Sequence, residues 1–364
     1  MALKDEIETM RKEIRTDGYG MSIGEWMSLY ENNEIDIHPE FQRFYRWDDT
    51  QKSNLIESIL LGIPIPPVFV SQRKDGVWDV IDGLQRLSTI YQFTGLLKDT
   101  DRKLVPPLAL KKTKYLQSLE NKLWHDPNNE ADSLTVEQRL IIKRAKIDVS
   151  IVLRESDRIA KYELFQRLNT GGSSLTPQEM RNCILVMVEP SFYEWLRTVA
   201  SYEAFQNTIA LSDKNKQEQY DLELALRFLV FSDLDLGAYD RSLDVGEYLT
   251  VRMVQLAEDK NFNRNQMQDR FRVTFEHLLK VAGDDSFRRY DGQSFKGGFL
   301  LSPFEVIAFG LGFNYRNIPS IQNTMQKIKD LYRNETYMQW SGSGVRANSR
   351  LPNLIPLGRE IFKA

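Results

Sequence analysis

The sequence has little cysteine, little histidine and little net charge, and each scarcity narrows the class of protein. It contains one cysteine and three histidines among 364 residues, with a formal net charge of −3. Cys183 is expected to be a small core residue, because an internal disulfide needs two cysteines. The Cys/His spacing of a zinc site and a Walker A loop are both absent. This net charge is not typical of a dedicated nucleic-acid binder. Contact with nucleic acid through a local basic patch is still an alternative.

Long apolar runs are also missing. No run approaches the ~20 residues that a membrane-spanning helix needs. The first residues, Lys4-Asp5-Glu6-Ile7-Glu8, are charged, which is not the pattern of a secretory signal. Apolar residues make up 41% and charged residues 27%, as in ordinary soluble proteins. We therefore expect a cytoplasmic protein.

Helix and strand signals alternate over the first half of the chain, which predicts an α+β fold there. Residues 1–20 are predicted to form a charged helix. Residues 21–189 are predicted to form the α+β domain, with a polar surface insertion at about 96–134. Strand signals fade from about residue 190, so residues 190–364 are predicted to form a mainly α-helical domain with an aromatic core.

Capping and turn residues predict where individual elements begin and end. Helix starts are predicted at Ser22, at Asp48 or Asp49, and at Thr176, because such side chains satisfy free N–H groups of a first turn. A hairpin turn is predicted at Lys74-Asp75-Gly76 between two short apolar strands. These boundaries place the remaining motifs on strands, helices or the turns between them.

Asp82-Gly83-Leu84-Gln85-Arg86 is the most informative stretch, because a buried strand precedes it and a helix follows it. A strand that turns through glycine into a helix directs backbone N–H groups and the positive end of a dipole at one point. Arg86, in the first helical turn, adds a planar charged group that suits phosphate. The stretch therefore predicts an anion site. The alternative is an ordinary strand-to-helix turn with a solvated arginine.

Two further segments, Phe41–Trp47 and Glu163–Gly172, also place Gln beside Arg at the edge of a predicted element. Arginines that converge on one cleft repel unless an anion neutralises them, so the three segments together favour phosphate. A triphosphate also needs a divalent cation held by carboxylates, and Asp82 and Glu163 are the candidates. Salt bridges between these acids and the same arginines are the alternative.

The glycine-rich, basic tail Ser341–Arg350 is predicted to be a mobile loop. Arg346 and Arg350 are its candidates for contact with a DNA backbone. A solvated loop without DNA contact is the alternative.

A set of short motifs follows one another in a specific order: Phe41-Gln42-Arg43, Leu55–Ile59, Gly62-Ile63-Pro64, Pro67–Val70, Asp82–Arg86, Phe165–Gly172 and Leu175–Glu179. In order and spacing they resemble the GmrSD N-terminal domain family, which carries a DGQQR signature. Domains of that family occur in type IV modification-dependent restriction systems and related phage-defence proteins. The resemblance covers roughly residues 20–190, and Leu84 stands where the signature usually has Gln.

The resemblance implies a ParB/sulfiredoxin-like fold for the N-terminal domain and a nucleoside triphosphate with Mg²⁺ as its ligands. The implied nucleotide-binding residues are Gln42, Arg43, Gly83, Gln85, Arg86, Gln166, Arg167 and Asn169. The implied catalytic residues are Asp82, Arg86 and Glu163, of which Asp82 and Glu163 would hold Mg²⁺. The sequence departs from ParB-type switches at Leu164, where they have Asn.

The implied function is NTP binding and hydrolysis in a regulatory or sensing subunit of a modification-dependent restriction or antiphage system. DNA contact would be local and salt-sensitive, and a separate nuclease chain would be the partner. An HNH nuclease needs closely set histidines, whereas His38, His125 and His277 lie in unrelated segments. Two alternatives stay open: a nuclease within the ParB-like domain itself, and a non-catalytic adaptor that binds DNA or protein.

Overall fold

The computed structural model describes residues 16–37, 47–73, 75–99, 101–153, 176–342 and 344–364. The chain divides into two compact units, Met1–Leu175 and Thr176–Ala364, and the first contains a mixed sheet with helices. The predicted α+β class is therefore confirmed. The sequence-based boundary at residue 190 lies inside the second unit, because the helix that Thr176 caps packs against helices that follow it.

A five-stranded mixed sheet forms the centre of the first unit. Its strands are β1 (Thr16–Ser22), β2 (Ile35–Asp36), β3 (Val68–Gln72), β4 (Trp78–Asp82) and β5 (Lys146–Val152), in the order β1-β5-β3-β4-β2. The pairs β1–β5 and β3–β4 are antiparallel, whereas β3–β5 and β2–β4 are parallel. The predicted hairpin of β3 and β4 is confirmed, and it brings the end of β4 beside the start of β3.

Strand β1 corrects the predicted N-terminal helix. Residues 16–20 lie in this strand, and residues 1–15 lie outside the described residues. Gly18 and Gly20 disfavour a helix. Gly18 also allows close pairing with β5, because a Cβ there would lie 2.7 Å from the carbonyl oxygen of Val149. Pairing with a distant strand therefore decides the conformation of this segment.

Four helices of the first unit are described, and capping side chains begin three of them. The helices are α1 (Ile23–Glu31), α2 (Asp49–Leu60), α3 (Leu84–Phe93) and α4 (Val136–Arg144). Ser22 caps α1, Asp48 caps α2 and Thr135 caps α4. The helix starts predicted at Ser22 and Asp48 are therefore confirmed. Helix α3 differs from the other three because its N-cap is a glycine.

The predicted surface insertion contributes to the core of the first unit. Leu108, Leu110, Leu119 and Leu134 are buried in the same hydrophobic cluster as the sheet. The segment is irregular in backbone, as predicted, with two short 3-10 turns. Its leucines, spaced too unevenly to show a period, fix it to the domain.

A buried carboxylate holds part of this insertion against α2. One oxygen of Glu57 accepts the backbone N–H groups of Tyr115, at 2.8 Å, and Leu116, at 2.9 Å, and the hydroxyl of Thr113. Burial alone would raise the pKa of Glu57, but these hydrogen bonds outweigh burial, and the pKa lies below its ordinary value. Glu57 is therefore a structural anchor.

The described part of the second unit consists of helices and one short β-ribbon. The helices are α5 (Pro177–Val188), α6 (Pro190–Ala200), α7 (Glu203–Ile209), α8 (Asp213–Gln217), α9 (Tyr220–Phe231), α10 (Val245–Glu258), α11 (Arg264–Val281), α12 (Leu301–Phe313), α13 (Ile321–Leu331), α14 (Glu335–Trp340) and α15 (Ala347–Ile361). The ribbon pairs β6 (Arg289–Tyr290) with β7 (Phe295–Lys296). Thr176 caps α5 reciprocally with Glu179, as predicted. None of the described helices is long and apolar enough to cross a membrane.

Candidate anion site

A left-handed glycine joins β4 to α3. Gly83 has a φ of 99°, and a Cβ at this position would lie 2.7 Å from Cγ2 of Val68. The backbone conformation and the packing against β3 both require glycine here. Within the described part of the chain, no side chain caps the first turn of α3. Because uncapped N–H groups and the dipole at a helix start attract negative charge, this turn suits an anion.

Arg86 lies in that first turn, but its guanidinium contacts its own turn and the neighbouring loop. Its Nη2 donates to Asp82 Oδ2 at 2.9 Å and to the carbonyl oxygen of Pro67 at 3.0 Å. The Arg86 side chain is 15% exposed, and that of Asp82 is 31% exposed. The structure therefore contains the salt bridge that the sequence left open as the alternative.

Both members of this pair keep hydrogen-bonding capacity. Arg86 Nε is buried and has no hydrogen-bond partner within the described part of the chain. Asp82 binds Arg86 through Oδ2, and no hydrogen bond of Oδ1 occurs among the described residues. A partly exposed carboxylate with one oxygen available fits a divalent cation, and a guanidinium with an unsatisfied N–H fits an oxyanion.

The remaining predicted site residues can be placed only in part. Gln85 is half-buried on α3, directly before Arg86. The other predicted nucleotide ligands, and the second predicted metal ligand, lie outside the described residues: Gln42, Arg43, Glu163, Gln166, Arg167 and Asn169. Among the described residues alone, no three His, Cys, Asp or Glu side chains group into a metal site. The convergence of the three Gln–Arg segments stays a prediction.

A partly buried ion cluster on the sheet was missed by the sequence analysis. Arg73, just after β3, donates from Nε to Asp79 at 2.7 Å and from Nη2 to Asp36 at 2.7 Å. Burial lowers the pKa of Arg73, but the bonds and charges of Asp79 and Asp36 outweigh it and raise the pKa. The cluster ties β2, β3 and β4 together. Asp79, a charged residue between the apolar Trp78 and Val80, was the signal that could have revealed it.

The predicted DNA-binding arginines of the tail have different surroundings. Ala347 begins helix α15, so the mobile-loop prediction is wrong from this residue onward. Arg350 lies on that helix and binds the two carboxylate oxygens of Glu305 at 2.7 and 2.9 Å. Glu305 is fully buried, so it requires a cation. This requirement explains why the segment around Arg350 is helical, although its composition predicted a mobile loop. Arg346, at the N-cap position, is exposed.

Cys183 is buried, as predicted, and burial together with Glu179 raises the pKa of its thiol. Of the histidines, His125 is exposed in the insertion of the first unit, whereas His277 lies in the second unit. Nε2 of His277 is 2.8 Å from the hydroxyl of Thr324. His38 lies outside the described residues. These contacts indicate structural roles for Cys183 and His277.

Comparison with protein families supports the resemblance seen in the sequence. Residues 23–186 match the family described as GmrSD restriction endonuclease, N-terminal domain. The matched segment contains the β4–Gly83–α3 turn and the capped start of α5. Comparisons with curated proteins and with solved structures returned no match. This segment of the chain therefore resembles the GmrSD N-terminal family.

Proposed function

We propose that this chain is an NTP-binding, NTP-hydrolysing regulatory or sensor subunit of a modification-dependent restriction or antiphage system, with a ParB-like fold in its first unit. The family match over residues 23–186 supports the restriction context. The single observation that carries the phosphate site is the uncapped, glycine-started helix α3 with Arg86 in its first turn. A phosphate there meets backbone N–H groups, a helix dipole and a guanidinium together.

The Asp82–Arg86 pair gives this site a neutral resting arrangement. A triphosphate with Mg²⁺ brings a charge of each sign, so the cation can take the Asp82 carboxylate while a phosphate takes Arg86. Asp82 and Glu163 would hold the Mg²⁺, which would neutralise phosphate charge when bound. Gln42, Arg43, Gln166, Arg167 and Asn169 complete the proposed nucleotide site. DNA is the proposed second ligand, and a separate nuclease chain is the proposed partner.

A thermal-shift screen with each of the four NTPs, with and without Mg²⁺, tests nucleotide binding directly. A ligand at 100 times its dissociation constant adds about 2.7 kcal/mol of apparent stability, which is readily measured. We expect stabilisation by at least one NTP, and a larger one with Mg²⁺. If no NTP stabilises the chain under either condition, the adaptor hypothesis replaces this proposal.

Arg86→Ala tests whether the turn is the binding site. We expect NTP binding to weaken by about 1.5–3 kcal/mol, because a charged hydrogen bond to phosphate is lost. Arg144→Ala is the matched control, since Arg144 is an exposed arginine at the end of α4. Equal NTP affinity of the two variants in calorimetry, with both folded, would contradict the assignment.

Glu163→Gln tests hydrolysis separately from binding. If Glu163 holds Mg²⁺ or the attacking water, the variant keeps NTP but releases phosphate at least tenfold more slowly, equivalent to about 1.4 kcal/mol in barrier. If Glu163 only pairs with an arginine, stability changes and turnover does not. A chain that releases no phosphate from any NTP, with or without DNA, is not a hydrolase.

A DNA nuclease is the second candidate, because the matched family is described as a restriction endonuclease. We expect the purified chain alone not to cut DNA, since its three histidines lie in unrelated segments and a triphosphate between Asp82 and Glu163 explains these two acids better than a cleavage site does. Modified and unmodified plasmid should be incubated with Mg²⁺ or Mn²⁺ and each NTP. Nicking that survives further purification and disappears in Asp82→Ala would favour the nuclease.

A further inference from the structure

The β6–β7 ribbon of the second unit places two cations side by side. Arg289 and Lys296 are directly opposite each other in the antiparallel ladder, and both are exposed. Residues opposite each other in such a ladder point to the same face, about 5 Å apart. Neither side chain forms an ion pair with a carboxylate in the part of the chain that the structure describes. The ribbon therefore presents an unneutralised pair of positive charges to solvent.

Like charges directly opposite each other destabilise a two-stranded ladder, so this pair needs a compensating interaction. The nearest acidic residue of the ribbon, Asp291, accepts the backbone N–H groups of Gln293 and Ser294 and closes the turn. These bonds, and to a smaller extent Lys296, lower the pKa of Asp291. Asp291 is thus occupied in the turn and offsets the pair only in part.

The opposite face of the ribbon attaches it to the unit. Tyr290 and Phe295 are half-buried and pack with ring centroids 5.0 Å apart. The ammonium of Lys329, on α13, lies 5.5 Å from the Tyr290 ring centroid and adds a third cation at the base. The aromatic face is thus half-buried, whereas Arg289 and Lys296 are exposed.

We propose that the β6–β7 ribbon contacts the phosphate backbone of a DNA duplex through Arg289 and Lys296. Two adjacent cations neutralise the phosphates of a polyanion, and the phosphates remove the repulsion between the cations. The exposed tip, Asp291–Ser294, is polar and offers no apolar side chain for insertion into a lipid surface. This inference rests on the DNA contact in the proposed function but not on nucleotide binding.

The test is the salt dependence of binding to a fluorescently labelled duplex, measured by anisotropy. Arg289→Ala/Lys296→Ala should reduce the slope of log affinity against log salt by about 1.8, since each lost phosphate contact removes about 0.9. Lys111→Ala/Lys112→Ala is the control, because it removes the same charge from exposed lysines of the first unit. Arg289→Lys should keep the wild-type slope.

Three outcomes would overturn the proposal. The wild-type chain does not bind the duplex at low salt, or the ribbon and control variants have equal slopes. The third outcome is that the ribbon variant no longer binds anionic vesicles but binds DNA as the wild type does. Should the double alanine variant fail to fold, Arg289→Gln/Lys296→Gln carries the same comparison. The NTP thermal shift of the ribbon variant should equal that of the wild type. A failed ribbon and a failed nucleotide site therefore give different results.

Discussion

Two arginine–carboxylate pairs, one in each compact unit, differ in the burial of the carboxylate. In the first unit, the Asp82 side chain keeps 31% of its surface exposed beside Arg86. In the second unit, Glu305 keeps 0% exposed beside Arg350, which binds it with two hydrogen bonds. A partly exposed pair can exchange partners with water or a ligand, whereas breaking a buried pair leaves an uncompensated charge. Burial of the carboxylate therefore distinguishes a pair that could release its arginine to a ligand from one that holds the fold together.

The buried pair belongs to a larger network that strengthens this contrast. Arg227 lies 3.6 Å from Glu305 and also pairs with Glu223, which in turn binds Arg181. Burial lowers the pKa of Arg227, but the charges of Glu223 and Glu305 outweigh it and raise the pKa. These ion pairs connect α5, α9, α12 and α15. By contrast, Asp82 and Arg86 are four residues apart and connect only one turn.

The largest expected effect comes from removing the buried carboxylate. Glu305→Gln should lower the free energy of unfolding by about 3–5 kcal/mol, because Arg350 loses its counter-ion and Arg227 keeps only Glu223. Urea denaturation followed by circular dichroism measures this loss. Glu360→Gln, an exposed position at the end of α15, should change stability by less than about 0.5 kcal/mol. Similar changes in the free energy of unfolding for the two variants would show that the ion-pair network does not stabilise the second unit.

Replacement of Gly83, in the turn between β4 and α3, is expected to have the next largest effect on stability. Gly83→Ala should cost about 2–3 kcal/mol, from the left-handed conformation and the close contact with Val68. Gly95→Ala is a matched control, since Gly95 has a φ of 78° but no atom lies within 4 Å of the position that a Cβ would take there. It should cost only about 1–2 kcal/mol, for the conformation alone. Equal losses of stability for the two variants in thermal denaturation would show that the contact with Val68 does not contribute.

Sequence reasoning succeeded where the determining interaction is local. Ser22, Asp48 and Thr176 each satisfy an N–H group within three residues, so their helix starts could be predicted. The strand–glycine–helix turn is local in the same sense, and its geometry followed from five consecutive residues.

Prediction failed where the partner is distant. Arg350 binds Glu305, 45 residues away, and a basic, glycine-rich stretch gives no sign of that carboxylate. Residues 16–20 form a strand because they pair with β5, more than a hundred residues later. The Arg73–Asp36 contact spans 37 residues. Composition and periodicity contain no information about such pairings, so these errors share one physical cause.

Asp82→Asn tests whether the Asp82–Arg86 pair, unlike the Glu305–Arg350 pair, can release its arginine to a ligand. The change keeps the size of the side chain but removes the charge that holds Arg86, so Mg²⁺-free triphosphate should bind about tenfold more tightly, or about 1.4 kcal/mol. The enhancement of binding by Mg²⁺ should fall at the same time. Calorimetry on this variant and on Asp101→Asn, an exposed control, measures both effects. If neither variant changes triphosphate affinity, the Asp82–Arg86 pair is structural, as Glu305–Arg350 is.

The smallest expected effect separates the two arginines that the sequence predicts to contact DNA, Arg346 and Arg350. Arg346 is exposed at the N-cap, where the helix dipole disfavours a cation, so a phosphate would relieve this position. Arg346→Ala should reduce the salt slope of DNA binding by about 0.9 and leave stability within about 0.5 kcal/mol of the wild type. Arg346→Lys should restore the slope. Arg350→Ala should instead destabilise the second unit, because the buried Glu305 loses the guanidinium that binds it with two hydrogen bonds. An unchanged slope in Arg346→Ala would leave neither predicted tail arginine in contact with DNA, since Arg350 binds Glu305.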